Sequence, residues 1–321
     1  MLQQTRVAAA TPYYRRFVRA FPTVAALARA PLSRVLAIWS GLGYYGRARN
    51  LHRAAREVVA AHRGRLPSTR DALRALPGFG PYTAGAVASI AFGEPVAVVD
   101  GNVARVYARW FGDRGDPTTP SAMRALWKRA EELVPAQSPG DWNQALMELG
   151  ATVCVPRVPR CAACPIREGC RARATGRPER FGKRDAPPAR PVERRLWAVV
   201  RDSEGRVAVV RRPLRGLWGG LYEFLPMAAG GENSLRQRIA ARLGVRAFRI
   251  SAPRGREVIR HVFTHKEVLF SVCRAELTGT ARSPGVRWIR GREASSVPAP
   301  APVGKMLREM RGRDTSFRRT Q

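Results

Sequence analysis

The chain has 321 residues, with 57 Lys and Arg against 24 Asp and Glu, a formal net charge of +33. A genomic preference for Arg over Lys does not account for so lopsided a sign; such an excess makes a field that draws polyanions and speeds encounter with them. No apolar run reaches the roughly 18 residues needed to span a bilayer, nothing at the N-terminus looks like a secretory signal, and the length predicts two domains. In chain order, helical periodicity covers Pro31–Trp39, Ala48–His62, Ser68–Leu76, Tyr82–Phe92, Gly101–Phe111 and Ser121–Leu133, punctuated by Pro and Gly. A cysteine-rich loop follows. Arg171–Arg195 is rich in Arg, Pro and Gly and reads as a linker. From Leu196 the pattern becomes short strands, Leu196–Arg201, Arg206–Arg211, Glu267–Arg274 and Val286–Ile289, with helices near Ser234–Leu243 and Val303–Met310. The second half is therefore an α+β domain.

Three segments carry chemistry. Cys154, Cys161, Cys164 and Cys170 form the pattern C-x6-C-x2-C-x5-C. Four thiolates in so short a segment can close on one centre, a tetrahedral zinc or an iron–sulfur cluster. Zinc sites more often show two CxxC pairs far apart, whereas only Cys161 and Cys164 form one here. The fifth cysteine, Cys273, lies in an apolar run and is expected to be a buried core thiol. The segment Leu76-Pro77-Gly78-Phe79-Gly80-Pro81-Tyr82-Thr83-Ala84 suits a turn between two helices. There Gly78 and Gly80 let backbone N–H groups approach a phosphate, and the next helix adds its N-terminal dipole; an ordinary Gly/Pro turn is the plain alternative. Asp100 follows the apolar Val98-Val99 and opens a helix, so taken alone it is an N-cap.

Hairpin, then aspartate about twenty residues on, then the four-cysteine loop, is the order of the endonuclease III-like helix-hairpin-helix glycosylases, and the resemblance spans residues 1–172. It narrows to the MutY-type adenine DNA glycosylases at Met1-Leu2-Gln3-Gln4-Thr5, Gly41-Leu42-Gly43-Tyr44-Tyr45, Asn50-Leu51-His52 and Asn143-Gln144-Ala145-Leu146-Met147. Bifunctional relatives carry a lysine just before the hairpin's Thr-Ala, where its amine forms a Schiff base; Tyr82 stands there, and a phenol cannot form that adduct.

The resemblance implies a [4Fe–4S] cluster on the four cysteines and flipping of an adenine mispaired with 8-oxoguanine. It implies hydrolysis of the N-glycosidic bond without strand cleavage. Asp100 would stabilise the cationic sugar, with Asn102 and Tyr82 orienting it. Gln144 would contact the adenine edge. Gln4 and Tyr44 would fill the disturbed stack, Thr5 and Leu42 would belong to the substrate-binding set, and one of Tyr44 and Tyr45 is expected to be core instead. In the family the general acid is a glutamate two residues before the methionine matching Met1, so the sequence as it stands is expected to lack its N-terminal segment and that acid.

The second half has its own signature. Arg211-Arg212-Pro213 and Gly216-Leu217-Trp218-Gly219-Gly220-Leu221-Tyr222-Glu223-Phe224 resemble the Nudix-like domain at the C-terminus of MutY-type enzymes. A working Nudix hydrolase needs a carboxylate-rich helix for magnesium; Ser234–Leu243 has no carboxylate, so diphosphate hydrolysis is not expected. Phe263-Thr264-His265 matches the family's Phe-Ser-His loop, which implies reading of 8-oxoguanine. The expected architecture is multi-domain: an all-α helix-hairpin-helix glycosylase core with a cluster loop at 1–172, a linker at 173–195, an α+β Nudix-like domain at 196–312 and a tail at 313–321. The expected partner is double-stranded DNA with A·8-oxoguanine or A·G mispairs. The expected protein is a cytoplasmic, nucleoid-associated monomer. An endonuclease III-like lyase and a non-catalytic lesion binder are the alternatives.

Overall fold

Apolar residues at helical spacing, with Thr at helix starts and Gly at helix ends, organise the first half. In the computed structural model, which describes residues 1–183, 189–228, 231–246, 248–251, 258–294 and 296–312, these become α1 (Val7–Ala20), α2 (Val24–Arg29), α3 (Leu32–Trp39), α4 (Gly46–Ala61), α5 (Arg70–Arg74), α6 (Pro81–Phe92), α7 (Gly101–Phe111), α8 (Pro120–Leu133) and α9 (Pro139–Glu148). Thr23 caps α2 and Thr119 caps α8 through their hydroxyls, while Gly93 and Gly112 end α6 and α7 in the left-handed conformation. Helix α9 runs into a π turn, Leu149–Val153, that delivers Cys154. Helices α1, α2 and α9 are additions to the elements expected. Pro12 lies inside α1 and no side chain caps it, so its local signal is weak.

The second half forms an eight-stranded mixed sheet among the described residues: β1 (Val192–Arg201), β2 (Val207–Arg211), β3 (Tyr222–Glu223), β4 (Leu225–Met227), β5 (Phe248–Ser251), β6 (Val258–Val262), β7 (Glu267–Leu277) and β8 (Val286–Ile289). The path runs β3-β2-β1-β7-β5, with β4 on β1, β6 on β7 and β8 on β2. β1 and β7 are parallel; the other pairs are antiparallel. Successive side chains of a strand face opposite sides. Trp197, Val199 and Phe270 join one apolar core, and Ala198, Val200, Cys273 and Ala275 join another with α11 (Glu232–Leu243). Both faces are covered, which explains the continuous apolar runs of β1 and β7. Cys273 is the buried core thiol expected. Helix α12 (Ala301–Gly312) adds Val303, Met306 and Leu307 to the first core.

The compact units do not coincide with the compositional break. One consists of Met1–Arg56 with the chain from Ala189 onward; the other is Glu57–Pro188. Phe17, Val35, Leu36 and Trp39 belong to the same core as Trp197 and Phe270, so the first helices complete the sheet's apolar face. The expected linker is shorter than 173–195. A short helix α10 (Arg171–Ala174) and a 3-10 turn (Pro178–Arg180) occupy its start, Phe181 is buried, and β1 begins at Val192. The expected tail, 313–321, lies outside the described residues. No helix among the described residues is long and apolar enough to cross a membrane.

In the unit Glu57–Pro188, one buried amide ties α6 and α9 to the segment that leads into Asp100. Asn143 accepts from Val98 N–H at 3.1 Å and donates to Ser89 Oγ at 3.0 Å and Val96 C=O at 2.9 Å. Asn143→Ala strands a buried backbone donor and acceptor and should cost about 2–4 kcal/mol, read as a lower urea midpoint at unchanged slope.

Candidate functional site

In the unit Glu57–Pro188, α5 and α6 form the expected helical hairpin. Gly78 has φ +85°, a conformation that needs glycine, whereas Gly80 is extended and a Cβ there would meet nothing within 4 Å. Only Gly78 is therefore required by the turn; Gly80 keeps the N-terminus of α6 uncovered. Gly85 lets α6 approach the strand-like lead into α7, because a Cβ there would come 2.6 Å from Ala97 C=O.

Asp100 is the N-cap of α7, but it does more than cap. Its Oδ1 accepts from Asn102 N–H and Val103 N–H, each at 2.8 Å, and its Oδ2 accepts from Asn102 Nδ2 at 3.1 Å. A carboxylate has about four lone-pair positions; among the described residues three are filled, two on Oδ1 and one on Oδ2. Tyr82 feels this charge: burial first, and then the Asp100 carboxylate, push its phenol above the ordinary value. Its hydroxyl points to Met147 Sδ at 3.6 Å. Gln144 is exposed on α9 and its amide donates back to Gly140 C=O at 3.2 Å.

Arg105 connects this carboxylate to the cysteine loop through Asn102, and Arg109 holds the loop itself; no sequence motif marks either. Arg105 Nη2 donates to Asn102 Oδ1 at 3.0 Å and to Gly150 C=O at 2.5 Å, and its Nε donates to Cys154 C=O at 2.8 Å. Gly150 permits the approach, since a Cβ there would lie 2.6 Å from Asn102 Cβ. Arg109, 2% exposed, donates to the carbonyls of Val155 at 2.8 Å, Pro156 at 2.7 Å and Phe181 at 3.2 Å, and to Cys154 Sγ at 3.4 Å. Arg105 and Arg109 lie one turn apart on a helix that buries most of its residues. An i, i+4 pair of arginines in such a helix is the signal that could have found them.

Cys154, Cys161, Cys164 and Cys170 all line one small cavity together with Arg109. Burial, and then the neighbouring thiols Cys154, Cys170 and Cys164, push the Cys161 thiol up. Four mutually repelling thiolates need a cationic centre to hold them deprotonated. Yet no three Cys, His, Asp or Glu side chains among the described residues are grouped as ligands of a single ion. Arg109 supplies a buried positive charge beside the four thiols.

The other expected residues lie in the unit of Met1–Arg56 and the chain from Ala189. Gln4 and Tyr44 both hold the left-handed conformation, at φ 57° and 48°. Arg47 fixes this corner: its guanidinium donates to Met1 C=O at 2.8 Å and to Gln3 C=O, and lies over the Trp39 and Tyr44 rings. Thr5 closes the first turn onto Leu2 C=O at 3.3 Å. Leu42 is half-buried against the core. Tyr44 is 48% exposed while Tyr45 is 6% exposed and donates to Ala299 C=O at 3.2 Å, so Tyr45 is the core member of the pair. Phe263, Thr264 and His265 make the turn between β6 and β7. The Tyr44 and Thr264 hydroxyls are hydrogen-bonded at 3.0 Å, and both residues line a cavity with Arg49, Trp218, His261, Phe263 and His265.

Comparison with known proteins divides the chain by sequence rather than at the boundaries of the two compact units. Residues 1–132 match the profile of the HhH-GPD superfamily base excision DNA repair protein, and residues 196–309 match that of the NUDIX domain. These define the class: a base excision repair protein with an appended Nudix-like domain. Adenine DNA glycosylase of Homo sapiens is 35% identical over 97% of this chain and 67% of its own length. That of Mus musculus is 36% identical over 96% and 69%, and that of Arabidopsis thaliana 35% over 87% and 51%. The chain belongs to the adenine DNA glycosylase family.

The links of Arg105 have a measurable weight. Arg105→Leu removes donors from Asn102, Gly150 and Cys154 together and should destabilise the protein by about 1–3 kcal/mol. Arg105→Lys should recover less than half of the loss, because one ammonium cannot reach three acceptors held by a planar fork. Thermal denaturation of the three proteins checks this.

Proposed function

We propose that the chain removes adenine paired with 8-oxoguanine or guanine in duplex DNA by hydrolysing its N-glycosidic bond, with Asp100 as the residue that stabilises the sugar cation. The observation that carries this is the state of Asp100. It is a carboxylate held by two backbone amides and Asn102, a fixed negative charge for a developing positive one. As the bond breaks, charge spreads over C1′ and the ring oxygen of the deoxyribose, and a fixed carboxylate beside them lowers the barrier without reorganising. Asn102 keeps Oδ2 in place and is itself held by Arg105. Tyr82, whose phenol is pushed up by burial and by Asp100, stays protonated and orients the site. It offers no amine for a Schiff base, which opposes a lyase.

Gln144, exposed on α9, contacts the extruded adenine. Gly78 and Gly80 open the N-terminus of α6 to a backbone phosphate. Gln4 and Tyr44 enter the stack the adenine leaves, Thr5 and Leu42 belong to the substrate-binding set, and Phe263, Thr264 and His265 read the opposite base. A [4Fe–4S] cluster held by Cys154, Cys161, Cys164 and Cys170 supplies a cross-link that orders the loop carrying the carbonyl partners of Arg105 and Arg109. The large positive charge serves the encounter with the phosphate backbone.

Asp100→Asn keeps an oxygen for the α7 amides and loses the charge. Single-turnover adenine release should fall by about 10²–10³ with mispair affinity retained; a rate near the parent's would leave Asp100 a helix cap only. Borohydride should trap no covalent adduct. Purified protein should contain iron at about four atoms per chain, and Cys164→Ser should lose both iron and DNA affinity. One zinc with no iron would refute the cluster.

A further inference from the structure

Trp218 stands between the sheet core and the turn Phe263–His265, in a segment that the catalytic reading leaves without a role. It is 8% exposed and its φ is +55°. A bulky side chain in the left-handed region is strained and persists only where its surroundings over-determine it. They do so here. Arg212 Nε donates to Leu217 C=O at 2.7 Å, and the same guanidinium pairs with Glu223, whose other oxygen accepts from Trp197 Nε1 at 3.2 Å. Arg49 Nη1 donates to Gly219 C=O at 2.8 Å, and Leu221 N–H donates to Trp218 C=O at 3.0 Å. Gly219 sits so tightly against Leu214 C=O that a Cβ has no room. The whole loop is built to hold one indole in one place.

That indole bridges two groups of rings. Toward the core it lies nearly parallel to Phe270, centroids 5.4 Å apart at 17°, and Phe270 stacks on Trp197 at 3.9 Å and 16°. Toward the surface it meets His261 and Phe263, each at 5.3 Å, and His261 meets Phe263 edge-on at 4.5 Å. Phe263 in turn stands 6.4 Å from the His265 ring, and Thr264 between them is bonded to the Tyr44 hydroxyl. Burial lowers the His261 pKa, which favours the neutral imidazole that packs against rings without carrying charge inward.

We propose that Trp218 is the positioning residue of the lesion-reading turn: through His261 and Phe263 it fixes where Phe263 and Thr264 meet the base opposite adenine. The inference rests on the reading of that turn given above. Without the indole, Phe263 and His261 can fall into the vacated space, and the Thr264 hydroxyl shifts with them. Strain at Trp218 is then the cost of holding a wedge whose height selects 8-oxoguanine over guanine.

Equilibrium binding tests this with duplexes carrying 8-oxoguanine or guanine opposite a non-hydrolysable adenine analogue. Trp218→Leu should lose roughly fivefold to tenfold of the preference for 8-oxoguanine, with affinity for the guanine duplex changed less than about twofold. Trp218→Phe, which keeps a ring, should restore most of the preference. Thr264→Ala should reduce it independently. If Thr264→Ala narrows the preference and Trp218→Leu does not, the turn reads the lesion unaided and this inference fails alone. If neither changes it, the reading of the turn fails and the inference with it. Equal losses on both duplexes for Trp218→Leu would make Trp218 a core residue only and overturn the proposal. Should Trp218→Leu not fold, His261→Leu takes its place: a partial loss of preference supports the brace, and an unchanged preference refutes it.

Discussion

The hydrogen bonds of Arg105 are the constraint on which the candidate site depends. One guanidinium reaches Asn102 Oδ1, Gly150 C=O and Cys154 C=O at once. Asn102 in turn holds Asp100 Oδ2. The carboxylate, the π turn after α9 and the first cysteine are therefore parts of one connected network. Only arginine offers enough donors in a rigid plane to make these links from a single side chain. One turn further along α7, Arg109 repeats the device with four carbonyls, those of Cys154, Val155, Pro156 and Phe181, and the Cys154 sulfur. Whatever orders the cysteine loop thereby orders the carboxylate, although the cysteines make no contact with it.

Glycines make the network possible. Gly150 brings the π turn onto Asn102, and Gly182 brings the chain beyond the cysteine loop to 3.2 Å from Arg105 Cα, measured to a built Cβ. A side chain at Gly150 would collide with Asn102 outright, whereas at Gly182 the contact is tight and the left-handed backbone, at φ +62°, is the stronger demand for glycine.

In the unit of Met1–Arg56 and the sheet, backbone strain is held at three residues by arginine contacts. Gln4, Tyr44 and Trp218 all hold positive φ without being glycine. Gln4 and Tyr44 are exposed, and each is fixed by Arg47, through Gln3 C=O and through its ring. Trp218 is buried and fixed by Arg212, Arg49 and Glu223. Side chains that must present one face to a ligand are held rigid before it arrives, and the apolar cores of the two sheet faces, to which six helices contribute, offset that cost.

The sequence by itself determined the helical periods of α3–α8, α11 and α12, the strands β1, β2, β7 and β8, the hairpin, the cysteine quartet and Asp100 as the opening of α7. All of these are local: a period, a spacing, a cap or a turn residue is legible within about fifteen residues. Tertiary structure decided the rest. Helix α1, which contains Pro12, places Phe17 in the same core cluster as Trp197 and Phe270, residues far from it in the sequence. The choice of Tyr45 over Tyr44 as the core residue turns on Ala299, and the roles of Arg105 and Arg109 turn on carbonyls some fifty residues downstream. The division at Arg56 and Ala189 follows which apolar faces find each other, not where composition changes. Burial and hydrogen-bond satisfaction are properties of the folded whole, and no local pattern of residue types encodes them.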